Sequence, residues 1–145
     1  DHYQVAQHLN GKGLKGVFFV ITDRIGTQGY LSWQQIKKMR SWGMEIGSHG
    51  VKSADLVAST DYFINDELIR SKKVIEEQLG KEIVSFAYPA GRYNNKIAEL
   101  AGKAGYQFAR TIEAGSRYKE SQFLKLPTLR VFSPAGAKQF KVWLE

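Results

Sequence analysis

The sequence predicts an α/β fold built on parallel strands. Three observations carry that prediction. Short β-branched and aromatic runs alternate with amphipathic stretches, the connections between them are short, and a glycine closes each of the clearest amphipathic stretches. Alternation of this kind implies parallel pairing with right-handed crossovers.

Each element follows from local chemistry. Tyr3 to Leu9 reads as a helix. Val17-Phe18-Phe19-Val20-Ile21 is a continuous apolar run, as expected of a strand buried on both faces. Ser32 to Trp42 places Ile36, Met39 and Trp42 at helical spacing, and Ser32 with Gln35 has the offset of a capping box. Gly43 stands where that helix should end. A short strand, Met44-Glu45-Ile46, leads into the loop Gly47-Ser48-His49-Gly50. A long helix follows from Asp61 to Leu79, with Ile64, Leu68, Ile69, Val74, Ile75 and Leu79 available for a buried stripe and Gly80 as its stop. Ile83 to Tyr88 reads as a strand broken at Pro89-Ala90-Gly91, and Asn95 to Ala104 as a helix ending at Gly105. Gln107 to Thr111 and Leu126 to Phe132 complete a set of about five strands. Pro134 opens a final helix carrying Phe140, Val142, Trp143 and Leu144. The chain begins with a helix, whereas a closed barrel would want a strand ahead of it. Trp33, Trp42 and Trp143 fall within helical patterns and read as core or half-buried packing residues.

The 145 residues suit one domain, 1–145, with no repeat, low-complexity segment or linker. A net charge of +7 favours anionic partners at long range, but the basic residues are scattered, the longest runs being Lys37-Lys38 and Lys72-Lys73. A solvated surface is the simpler reading, and the Arg/aromatic pattern of a nucleic-acid module is missing. The chain has no cysteine, which excludes disulfides, thiolate metal sites and a Cys nucleophile. No stretch approaches the roughly 20 apolar residues of a membrane span, and no signal-peptide pattern is read.

Sites in parallel α/β folds gather at the C-terminal ends of the strands. Two segments at such ends look unlike plain connections: Ile46 to Leu56, which carries His49, and Phe86 to Asn94, which carries Pro89-Ala90-Gly91. A lone His after a strand is by itself a weak signal.

These segments bring in a family resemblance. Gly16-Val17-Phe18-Phe19-Val20, then Leu31 to Ile36 and Gly43 to His49, resemble the approach to the His-x-x-x-His motif of polysaccharide deacetylases. Phe86-Ala87-Tyr88-Pro89-Ala90-Gly91-Arg92-Tyr93-Asn94 is similar to the Tyr-Pro-x-Gly loop of the family's biofilm-polysaccharide branch, and Leu126 to Val131 resembles a late strand of that branch. The resemblance covers about Leu14 to Val131. It implies a distorted or incomplete (β/α) barrel with the first strand missing. It also implies hydrolysis of acetylated polysaccharide or a peptidoglycan-like glycan, at an extracytoplasmic or cell-surface site. The implied cofactor is a divalent metal, zinc foremost, held by one Asp and two His.

Carried over by position, His49 matches the first metal His and Ser53 stands where the second belongs. Asp1 matches the metal Asp or is a loop residue. The Ala90 backbone N–H matches the oxyanion donor. Tyr88, Pro89, Gly91, Arg92 and Tyr93 would line the sugar cleft, although Arg92 as a surface charge and Tyr93 as a packed aromatic are equal alternatives. The family's late acid His has no counterpart, because the histidines are His2, His8 and His49. Asp55 is expected to cap the turn at Ala54-Asp55-Leu56. Two functional readings follow: a working deacetylase, and an inactive glycan-binding or scaffolding module of the same fold.

Overall fold

The structure is a computed structural model that describes residues 2–130. Asp1, the end of the last expected strand and the expected helix after Pro134, with Trp143, lie outside the described residues. In chain order the elements are α1 (His2–Gly11), β1 (Val17–Val20), α2 (Trp33–Ser41), β2 (Glu45–Ser48), α3 (Asp61–Leu79), β3 (Ser85–Ala87), α4 (Asn95–Lys103), β4 (Phe108–Ala114) and β5 (Leu126–Thr128). All four pairings are parallel and the strand order is β1-β2-β3-β4-β5. Each strand therefore lies beside its successor, as in a barrel wall, but the sheet does not close among the described residues.

Side-chain chemistry sets the helix starts. Ser32 Oγ accepts the Gln35 N–H at 3.2 Å while Gln35 Oε1 accepts the Ser32 N–H at 2.8 Å, the reciprocal pair expected for α2. Thr60 caps α3 and Asn94 caps α4 through their side-chain oxygens.

The core lies between one face of the sheet and the helices. Phe18, Val20, Ile46, Phe86 and Ala109 point into it and meet Ile36, Met39, Leu68, Ile75, Ile97 and Tyr106. Strand alternation sends Val17, Phe19, Ser85, Phe108 and Arg110 to the opposite face. There, with Phe86, Tyr118 and Leu126, they line a hollow of about 190 Å³. This corrects the expectation for β1: it is buried on one face only, and Val17 remains 42% exposed. Phe19 instead lies flat over Gly47, where a Cβ would come within 2.6 Å of its ring.

Other boundaries shift for local reasons. β2 extends through Ser48, so the loop begins at His49. β3 is the short segment Ser85–Ala87, while β4 runs on to Ala114 because β5 pairs along it through an irregular register. A 3₁₀ turn at Glu120–Lys125, unsignalled by any apolar period, feeds β5. In α3, Ile69 is 52% exposed, and the buried stripe takes up Glu67 (1% exposed) and Ser71 (0%).

Candidate active site

His49 stands at the C-terminal end of β2, between the ends of β1 and β3. Its N–H donates to the Val20 carbonyl at 2.8 Å. Its Nδ1 lies 2.7 Å from the Ala87 carbonyl oxygen. A carbonyl can only accept, so Nδ1 carries the proton and Nε2 keeps its lone pair. Burial holds the imidazole pKa below its ordinary 6.5, against the smaller opposing effect of the Ala87 hydrogen bond. The ring is thus held neutral with one basic nitrogen left over. It borders a cleft of about 430 Å³ lined also by His2, Phe19, Val20, Tyr30 and Leu31.

The segment after His49 is fastened on two sides. Thr22 N–H donates to the Gly50 carbonyl at 3.2 Å and Asp23 N–H to the Val51 carbonyl at 3.1 Å, which stitches it to the connection after β1. From beneath, Glu67 of α3 receives the Val51 N–H (2.9 Å) and the Lys52 N–H (3.1 and 3.2 Å) on its carboxylate. The chain turns there through left-handed φ at Gly50 (+82°) and again at Ser53 (+59°). At Gly50 an added Cβ would lie 2.6 Å from Glu67 Oε2, so both φ and space call for glycine. Asp55 Oδ1 accepts the Val57 N–H at 3.1 Å and caps the turn at Leu56–Ala58; its Oδ2 pairs with the Arg92 guanidinium.

The second segment distributes its residues differently from the sequence expectation. Tyr88, expected in the sugar cleft, is 2% exposed, and its hydroxyl donates to the Leu124 carbonyl at 2.8 Å. Burial raises its phenol pKa well above the ordinary value. Pro89 is buried as well. Tyr93 stacks on Tyr88 at 5.1 Å and donates its hydroxyl to Glu113 at 2.9 Å, which places it as a packed loop aromatic. Gly91, at φ +66°, passes so close to Ile112 that no side chain fits. Arg92 is exposed and engaged with Asp55, which ties this loop to the one after His49. Ala90 is exposed in a left-handed conformation (φ +51°), and no backbone carbonyl among the described residues takes its N–H.

A divalent metal would find one suitable donor here. His49 Nε2, with Nδ1–H held by a carbonyl, has the arrangement of a metal-ligating imidazole. Ser53 offers a neutral hydroxyl, a poor partner for imidazole and carboxylate in a transition-metal site. Among the described residues no group of three or more His, Cys, Asp or Glu could hold a metal. The described donor set is therefore incomplete. Sequence reasoning missed Glu67, although a signal was present: a carboxylate sits inside the apolar stripe Ile64, Leu68 and Ile75.

Comparison with known proteins adds the following. A family model described as polysaccharide deacetylase matches residues 2–109. The chain is 30% identical over 146 residues to YxkH of Bacillus subtilis (strain 168), a protein named as a polysaccharide deacetylase, covering 100% of this chain and 52% of that one. It is 31% identical over 104 residues to the peptidoglycan-N-acetylglucosamine deacetylase of Bacillus cereus, covering 72% of this chain and 46% of that one. Among solved structures, the Streptococcus pyogenes deacetylase PplD in complex with acetate matches with a TM-score of 0.94 at 26% identity, over 100% of this chain and 66% of that one. The chain spans about half the length of the curated relatives it matches.

Proposed function

Because the chain belongs to the polysaccharide deacetylase family, we propose that it supplies the His49 wall of a site that hydrolyses acetyl groups from an acetylated polysaccharide or peptidoglycan-like glycan. The observation that carries this reading is the fixed tautomer of His49, which leaves Nε2 unprotonated on a residue that borders the cleft. In amide hydrolysis, water adds to the acetyl carbonyl carbon, the C–N bond breaks, acetate departs and the sugar amine takes a proton. The Ala90 N–H, which has no backbone partner among the described residues, would donate to the carbonyl oxygen as negative charge develops on it. Arg92 would offer its remaining donors to sugar hydroxyls. Tyr88, Pro89 and Gly91 would act by shaping the loop that presents Ala90 rather than by touching sugar. The resemblance makes zinc the expected metal and Asp1 a second ligand. The described donors do not complete that site.

Ser53 favours a second reading, a glycan-binding or scaffolding module that has lost turnover. Acetate release from N-acetylated chito-oligomers by the full-length protein, with and without chelator, separates the two. Chelator-sensitive release defeats the inactive reading; retained glycan binding without release defeats the first. In the same protein Ser53→His should tighten Zn²⁺ binding in calorimetry, and an unchanged affinity would show that position 53 does not face the metal. An extracytoplasmic or cell-surface location agrees with a glycan substrate. Among the described residues no helix is long and apolar enough to cross a membrane.

A further inference from the structure

Glu67 is a buried acidic side chain for which the proposed chemistry has no use. It sits on α3, 1% exposed, in line with the apolar residues of the buried stripe. Desolvating a carboxylate is costly unless its oxygens are satisfied. Here they are satisfied by backbone amides of the segment that follows His49: Val51 N–H at 2.9 Å and Lys52 N–H at 3.1 Å on Oε2, with Lys52 also 3.2 Å from Oε1. No other hydrogen-bond donor to the Glu67 carboxylate is found among the described residues.

The surroundings are built around the same contact. Gly50 has no Cβ where Oε2 stands. One helical turn along, Ser71 Oγ donates to the Glu67 carbonyl at 2.6 Å and lies 2.7 Å from Ser48 Oγ, which in turn accepts the Gly50 N–H at 3.0 Å. Tyr106 hydroxyl joins this cluster, donating to the Leu68 carbonyl at 3.1 Å. Residues 48, 51 and 52 are thus bound to one stretch of α3 and residue 50 to Ser48, while residues 50 and 51 are also bound to the connection after β1. No unpaired polar side-chain atom is left buried among the described residues.

We propose that Glu67 is a positioning residue: its carboxylate holds the chain after His49 in the path that sets the spacing between position 49 and position 53. The inference rests on the functional reading above in so far as those two positions face substrate or metal. The holding itself stands on geometry alone. A residue with this role acts through the loop and touches no reacting atom. Substituting the partners that orient a metal ligand weakens metal binding by about 10- to 100-fold.

The test uses the full-length protein and three variants. Glu67→Leu removes both acceptors at similar volume. Glu67→Gln keeps an acceptor where Oε2 stands and puts an amide NH2, a donor, where Oε1 stands. Ile75→Ala damages the same helix two turns away without touching the loop. The first readout is amide hydrogen exchange at Val51 and Lys52, normalised to amides in α2 and α4. Glu67→Leu should speed it at least about tenfold; Glu67→Gln should speed Lys52 more than Val51; Ile75→Ala should leave the normalised rates unchanged. The second readout is Zn²⁺ affinity, expected to fall about tenfold or more in Glu67→Leu and to stay within about twofold in Ile75→Ala. Unaccelerated exchange in both Glu67 variants, or losses in Ile75→Ala that match those in Glu67→Leu, would overturn the proposal. If the unsubstituted protein takes up no Zn²⁺, the metal part of the functional reading fails while the exchange experiment still decides the role of Glu67.

Discussion

Replacing Gly50 with alanine probes the contact between the loop and α3 directly. Two costs add. Gly50 sits at φ +82°, where an L side chain loses roughly 1–2 kcal/mol. The new Cβ would also stand 2.6 Å from Glu67 Oε2, so the carboxylate must shift off the Val51 and Lys52 amides. Leaving such buried groups unsatisfied costs about 1–3 kcal/mol. The sum, about 2–5 kcal/mol, is a large share of the 5–15 kcal/mol that stabilises an ordinary domain. Urea unfolding followed by circular dichroism should show the midpoint falling by on the order of 1–2 M. The discriminating experiment is a double-mutant cycle with Glu67→Ala. Without the carboxylate, Gly50→Ala should cost only its backbone share, leaving a coupling of about 1–3 kcal/mol. Equal costs in the two backgrounds, within about 0.5 kcal/mol, would refute the idea that Gly50 is required by Glu67.

Two further outcomes are expected. Burial pushes the Tyr106 phenol up to about 12 from its ordinary 10, so the folded protein keeps this proton after the unfolded chain has lost it. The stability it contributes is present below pH 10 and declines as pH rises from 10 to 12, by up to about 1.4 kcal/mol per unit; Tyr106→Phe should flatten that decline, and an unchanged slope in urea titrations would refute it. The Arg92–Asp55 pair links two loops but is open to solvent, with side chains 58% and 39% exposed. Arg92→Ala should therefore cost less than about 1 kcal/mol in global stability, and a loss above about 2 kcal/mol in the same assay would contradict a solvent-screened pair.

What could be read in advance depended on how local the cause was. The start of α2 rests on two side chains three residues apart, Ser32 and Gln35, and both are visible in a short window. The turn at Leu56–Ala58 rests on Asp55, two residues from the N–H it accepts. The parallel pairing followed from alternation with short connections. Glu67, though it interrupts the apolar stripe, is passed over for the opposite reason: its partners lie 15 and 16 residues earlier, and a charged residue on a helix is ordinarily assigned to solvent. The exposed side of β1 is misread because a continuous apolar run records that both faces are apolar, not that both are covered. Tyr88 was placed in the cleft from motif likeness, yet the period-2 pattern puts it on the same side of the strand as Phe86, which is fully buried. At the candidate site, His49 could be proposed from sequence. Its tautomer was not, since the Ala87 carbonyl that fixes it belongs to another strand.

The backbone at Ser53 has a bearing on which side chains the position can carry. Its φ of +59° lies in a region that most side chains avoid and that His, Asn and Asp enter several-fold more often than others. An exchange between serine and histidine at this position, in either direction, asks nothing new of the main chain. On the proposal that position 53 faces the metal, an imidazole placed there would arrive on a loop already shaped to carry it.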